Sequence, residues 1–150
     1  MALTYGSTFG TPSEGDIRDI QSLSRRLFGE YVDNEGDWRI RQMPSFSVFV
    51  ARSDGLLVGF KMGYAHTKTR YYSWLGGVDP DFRRQGVARQ LMKNQHDWLI
   101  ENRYLSVETG ARQSNTAMTK LNLSSGFKAV GIRYKQDDPD IIYEKVLASE

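Results

Sequence analysis

The most constraining feature is a change of period in the middle of the chain. Tyr71-Tyr72-Ser73-Trp74-Leu75-Gly76-Gly77-Val78 is a strand-like run that ends at Asp79-Pro80. From Gln85 the pattern is helical, with Val87, Ala88, Leu91, Met92, Gln95, Trp98 and Leu99 on one face as far as Arg103. Only Asp81-Phe82-Arg83-Arg84 lies between the two. A strand that passes so directly into an amphipathic helix points to a mixed α/β domain.

The flanking segments agree. Thr11-Pro12-Ser13-Glu14 has the form of a capping box with Pro at the first helical position, followed by Ile17, Ile20, Leu23, Leu27 and Tyr31 at helical spacing. Gly29 to Pro44 reads as an irregular or short-helical connection. Phe46 to Arg52 alternates apolar and polar residues and turns at Ser53-Asp54-Gly55 into Leu56 to Tyr64, a hairpin. Tyr104 to Thr109 returns to strand, and Asn115 to Ser125 is helical and stops at Gly126. Phe127 to Tyr134 and Ile141 to Leu147 form two more strands, joined by a turn over 136–140. Gly76-Gly77 suggests a bulge or a close backbone approach.

The 150 residues suit one domain, and no repeat or linker divides them. With no cysteine, disulfides, thiolate metal sites and a cysteine nucleophile are excluded. No apolar run approaches the roughly 20 residues of a membrane-spanning helix, and the N-terminus lacks a secretory pattern, so a cytoplasmic protein without a membrane partner is expected. No His, Asp and Glu spacing proposes a metal site.

The turn between strand and helix carries the chemistry. A helix N-terminus leaves N–H groups unpaired and favours an anion. Gly86 lets the backbone approach phosphate oxygens, Ala88 permits close packing, and Arg83, Arg84 and Arg89 add positive charge. A Rossmann fingerprint and a P-loop are both absent, and the strand before the turn with the long helix after it makes a phosphate-binding turn the better reading than an ordinary basic helix start.

Arg83-Arg84-Gln85-Gly86-Val87-Ala88 resembles motif A of the GNAT (Gcn5-related N-acetyltransferase) superfamily, Arg/Gln-x-x-Gly-x-Gly/Ala. Asn115, Met118, Leu121 and Gly126-Phe127 are similar to its motif B, with Met in place of Ala. The resemblance runs from about Tyr71 to Phe127, over a third of the chain. It implies an α+β fold: a mixed, mostly antiparallel sheet of six to seven strands, about four helices, and strands four and five splayed apart. It implies acetyl-CoA as co-substrate and a primary amine, on a small molecule or a peptide, as acceptor. The backbone of Gly76 and Val78 would pair with the pantetheine arm, and Gly76 N–H would polarise the thioester carbonyl. Arg83, Arg84, Gln85, Gly86, Val87 and Ala88 would hold the pyrophosphate, and Asn115 would touch the pantetheine.

The family often places a Tyr, as proton donor to the leaving thiolate, where this chain has Asn122. Asn cannot serve as an acid, which leaves Tyr134, Tyr72 or water for that proton. Glu108 is the candidate base. Tyr71 and Tyr72 face opposite sides of their strand, so only one can face a cleft. His66 reads as an exposed loop residue, His96 as structural, and Trp98 as core. Two other classes stay open: a non-catalytic acyl-CoA-binding or sensing domain, suggested by Asn122, and a nucleic-acid module using Arg83, Arg84, Arg89 and Lys93. The net charge of +2 does not favour the latter, and no nucleic-acid partner is expected. A homodimer through the C-terminal strands is a further expectation.

Overall fold

A computed structural model describes residues 2–29, 34–134 and 137–148; Tyr31 and Gln136 lie outside the described residues. The chain order is β1 (Leu3–Phe9), α1 (Glu14–Phe28), α2 (Glu35–Gln42), β2 (Ser47–Ser53), β3 (Leu56–Ala65), β4 (Arg70–Val78), α3 (Val87–Glu101), β5 (Ser106–Arg112), α4 (Thr116–Ser124), β6 (Lys128–Arg133) and β7 (Asp140–Val146). One seven-stranded sheet has the order β1-β2-β3-β4-β5-β7-β6. Every neighbouring pair is antiparallel except β4 and β5, which are parallel. This is the expected mixed, mostly antiparallel architecture with four helices.

Two start signals differ from expectation. The cap of α1 is Ser13, whose Oγ accepts from Asp16 N–H at 3.1 Å, so Thr11 does not cap and Pro12 precedes the helix. Glu14 is drawn outward instead, into an ion pair with Arg41 of α2. β1 was not expected, because its residues are mostly exposed and an edge strand lacks the alternation that a buried face imposes. Its end is anchored by Phe9, which stacks on Trp98 at 4.9 Å between ring centroids.

The sheet divides the core. On one side α1 and α2 bury Ile17, Ile20, Leu23 and Ile40 against Phe46, Phe60, Met62, Tyr64, Tyr72 and Trp74. On the other, α3 and α4 cover Tyr71, Val107, Tyr143 and Phe127. Trp98 belongs to this second side, against Phe49, Tyr71 and Tyr104. Tyr71 is pinned by Ser47 Oγ at 2.6 Å and donates to the Ser45 carbonyl at 2.9 Å, so it is structural while Tyr72 faces the opposite side.

Two positions on the α3 side test this packing. A Cβ on Gly63 would lie 2.5 Å from the Tyr72 carbonyl oxygen and 2.6 Å from Tyr71 Cε2. Gly63→Ala should therefore cost about 2–3 kcal/mol in urea unfolding. His96 is buried, and desolvation, helped by the charges of Lys145 and Lys61, pushes its pKa down to about 3. The unfolded chain then binds one more proton than the folded chain between the ordinary histidine pKa of about 6.5 and that value, so this contribution is present above 6.5 and is lost as pH falls. Unfolding free energies at pH 6 and pH 5 should differ by about 1.4 kcal/mol more in the wild type than in His96→Gln.

Candidate active site

The parallel pairing of β4 with β5 covers only Arg70↔Ser106 to Ser73↔Thr109. Its last tie is Thr109 Oγ1 donating to the Ser73 carbonyl at 2.9 Å. Beyond it β5 continues along β7, β4 continues along β3, and the two strands part. The register of β3 with β4 steps from Gly63↔Ser73 to Met62↔Leu75, which leaves Trp74 as the extra residue. The bulge thus falls at Trp74 and not at Gly76-Gly77, because the aromatic core holds the Trp74 ring on the α1 side. The two glycines serve close approach. A Cβ on Gly77 would meet Leu27 Cδ1 at 2.5 Å, and one on Gly76 would meet the Phe60 carbonyl oxygen at 3.0 Å.

The hydrogen-bond alternation sets which way β4 presents its backbone. Asp79 N–H donates to the Val58 carbonyl at 2.8 Å, which makes 58 and 79 a hydrogen-bonded pair. In an antiparallel ladder such pairs alternate, so Gly77 and Leu75 also bond to β3, through Phe60 and Met62. Gly76 and Val78 therefore turn their N–H and C=O groups into the opening. The Val78 carbonyl accepts from Arg83 Nε at 3.2 Å.

The turn that follows is shaped for an anion. Asp79 caps a short 3-10 turn over Pro80–Phe82 through Asp81 N–H and accepts from Arg26 of α1 at 3.0 Å. Arg84 (φ 64°) and Gly86 (φ 77°) both take left-handed backbone, and successive N–H groups in such turns form an anion-holding concavity. Gly86 is the N-cap of α3 and gives it no side-chain cap; nothing lies within 4 Å of where its Cβ would be. Among the described backbone bonds outside helices and strands, none takes an N–H from residues 84–88. Asn115 caps α4, its Oδ1 accepting from Met118 N–H at 3.1 Å, which leaves its amide nitrogen for other partners.

On the α1 side of the opening several sequence candidates meet. Tyr72 and Glu108 are register partners on β4 and β5, so both face this side. His66, just past β3, stacks on Tyr72 at 4.7 Å and places Nδ1 3.4 Å from Glu108 Oε2. Burial lowers the His66 pKa from its usual value, and the Glu108 charge pulls back only partly. Arg133 hydrogen-bonds Tyr72 from β6, and Arg39 of α2 bonds Tyr64 Oη at 3.1 Å and lies over the Trp74 ring. Tyr134 does not join this group: it lies past β6 and is 80% exposed. The sequence alone reads His66 as an exposed loop residue, although its spacing from Tyr64 puts both on the face that Tyr72 shares.

The α3 side is unusual for its polar atoms. Both amide atoms of Gln95, Asn122 Nδ2, His96 Nε2 and Ser73 Oγ are buried without a hydrogen-bond partner. Lys61, a lysine within an apolar strand, lies on the same side, since it is two residues from Gly59, which faces Val87 and Leu91, and from Gly63, which faces Gln95. A groove of about 290 Å³ runs between α3 and the ends of α4 and β7, lined by Arg89, Lys93, His96, Ser125 and Lys145. Among the described residues no three His, Asp or Glu side chains converge on a metal site, and no helix is long and apolar enough to cross a membrane.

Residues 17–127 match the acetyltransferase (GNAT) family. No curated protein matches the chain. The ribosomal-protein-S18-alanine N-acetyltransferase from Escherichia coli is 20% identical and superimposes with a TM-score of 0.82 over 97% of this chain and 96% of that one. Ard1 from Thermoplasma volcanium is 24% identical, with a TM-score of 0.76 over 95% of this chain and 99% of its own. A GNAT family acetyltransferase from Elizabethkingia anophelis, solved with acetyl-CoA bound, is 19% identical, with a TM-score of 0.67 over 96% and 97% of the two chains. At these identities the likeness to solved structures is one of fold.

Gly86→Val adds a side chain where the turn is open and forces left-handed backbone on a β-branched residue. The strain is about 1–2 kcal/mol and leaves the domain folded. Acetyl-CoA binding by calorimetry should weaken about tenfold or more, an expected effect of about 1.4 kcal/mol or greater. Unchanged affinity would move the pyrophosphate away from this turn.

Proposed function

The chain belongs to the GNAT acetyltransferase family, and from that premise we propose that it transfers an acetyl group from acetyl-CoA to a primary amine of a small molecule or peptide. The whole chain, residues 1–150, acts as one domain in this reaction. The main support is the free edge of β4, where Gly76 and Val78 offer backbone groups that no strand takes up. An extended pantetheine arm fits that edge as an added strand does. The open turn at Gly86 fits the same co-substrate.

When bound, acetyl-CoA supplies a thioester that an amine attacks directly. Gly76 N–H, aimed into the opening, stabilises the charge that develops on the thioester oxygen. Residues 84–88 hold the pyrophosphate through backbone N–H groups, with Arg83 and Arg84 adding charge, and Asn115 reaches the pantetheine. The amine arrives from the α1 side, among Tyr64, Tyr72, Trp74 and His66. His66 is neutral at neutral pH because burial disfavours its charged form, so it can accept the amine proton. Glu108, at 3.4 Å, holds the ring in place and steadies the charge it acquires.

Thiol release from acetyl-CoA with a panel of free amino acids, polyamines and short peptides tests this assignment. Turnover with at least one primary amine is expected, and saturating acetyl-CoA should raise the melting temperature. A melting shift without turnover would instead favour an acyl-CoA sensor. His66→Ala should reduce kcat/KM about 100-fold and remove the acid limb of its pH profile. Glu108→Gln removes a charge that raises the His66 pKa, so that limb should move to lower pH.

A further inference from the structure

Asn122 leaves the departing thiolate without the tyrosine that the family often supplies. Asn122 is itself 1% exposed and offers only an amide. The side chains on the same face of the sheet supply another acid. Lys61 stands opposite Gly76 in the β3–β4 register, and its Cγ lies 3.5 Å from the position a Gly76 Cβ would take. The lysine stem therefore runs over the one residue of β4 that is bare on this side, toward the edge where Gly76 points its N–H. Neighbouring strand β2 presents Phe49 opposite Lys61, which closes the other direction.

No hydrogen bond or ion pair satisfies Lys61 among the described residues. The groups around it are mostly neutral. Gly76 of β4 lies under its stem and His96 of α3 feels its charge, while the unpartnered Ser73 Oγ and both amide atoms of Gln95 lie on the same side of the sheet. The charged or titratable groups that act on this cluster are His96, Lys145 of β7 at 3.4 Å from its Nδ1, and Asp97 of α3, whose charge acts on His96. His96 stays uncharged at neutral pH. Lys61 is half-buried with no carboxylate paired to it, and a partly desolvated cation of this kind points to a partner that arrives with the substrate.

We propose that Lys61 is the proton donor to the sulfur of the departing coenzyme A. This rests on the transferase assignment above. The amine nitrogen bonds to the acetyl carbon, the C–S bond breaks with its electron pair on sulfur, and a proton passes from Lys61 Nζ to that sulfur. The amine proton goes to His66, so one proton is gained on one side of the sheet and one is given up on the other. Exchange with solvent resets both groups. Burial lowers the Lys61 pKa to about 8, close to the roughly 8.5 of an ordinary thiol. The lysine is thus still mostly charged at neutral pH and gives up its proton with little thermodynamic cost.

Three proteins and two readouts test the assignment: wild type, Lys61→Met and Lys61→Arg. Each is assayed with the best amine from the panel and by lysine 13Cε NMR titration. The wild type should show kcat falling as pH rises through about 8, and one lysine should titrate near that pH in the free protein and be missing from both variants. Lys61→Met should lose about 10–100-fold in kcat, with acetyl-CoA affinity little changed. Lys61→Arg should lose as much, because arginine keeps the charge but does not release its proton. Wild-type kcat in the arginine variant would make Lys61 an electrostatic group only and overturn the assignment. So would wild-type kcat in the methionine variant, or a Lys61 resonance titrating at the ordinary value of about 10.4. A wild type that turns over no amine would overturn the transferase assignment itself, and this one with it.

Discussion

The structure depends on the failure of β4 and β5 to stay together. A parallel pair needs a crossover, here α3, and tolerates separation only where each strand keeps its other neighbour. β4 is held by β3 along its length and β5 by β7, so the two can part after Ser73 and Thr109 without the sheet coming apart. The bulge at Trp74 steers the divergence, and the aromatic cluster on the α1 side keeps that ring in place. Gly76 and Val78 on that edge are half-buried, and an unpaired strand edge is a template for an added strand.

The opening also separates two environments. On the α1 side, Tyr72, His66, Glu108, Arg39 and Arg133 form a network in which most polar groups have a partner. On the α3 side, Gln95, His96 and Asn122 are buried with unmet hydrogen-bonding capacity, and Lys61 is half-buried on the same face. Such contrast across one sheet suits a reaction that takes a proton on one face and gives one on the other. Desolvation moves both His66 and Lys61 downward, yet with opposite consequences: it readies the histidine to accept a proton and the lysine to release one.

Much of the fold was legible because its signals are local. The period change from Tyr71–Val78 to Val87–Glu101 needs only neighbouring residues to be read, as does the stop at Gly126. Two features were not legible, one because its signal is shared by two residues and one because it carries none. Thr11 and Ser13 both satisfy a capping pattern, and Ser13 takes the cap by accepting from Asp16 N–H. β1 had no buried face to impose alternation on it. Of the two readings open for Gly76-Gly77, the close backbone approach holds; the extra residue of the bulge sits at Trp74, where the ring finds its core.

By itself the sequence determined the strand–turn–helix unit, the left-handed glycine at position 86 and the loss of tyrosine at position 122, since backbone preference and side-chain chemistry belong to the residues concerned. It also placed Tyr71 and Tyr72 on opposite faces, which follows from the geometry of a strand. Only the tertiary structure decided that His66 meets Glu108, that Gly76 and Val78 face an unpaired edge, and that Lys61 lies over Gly76. Those relations join residues far apart in the chain, and they depend on strand order and register, which packing sets and local sequence does not.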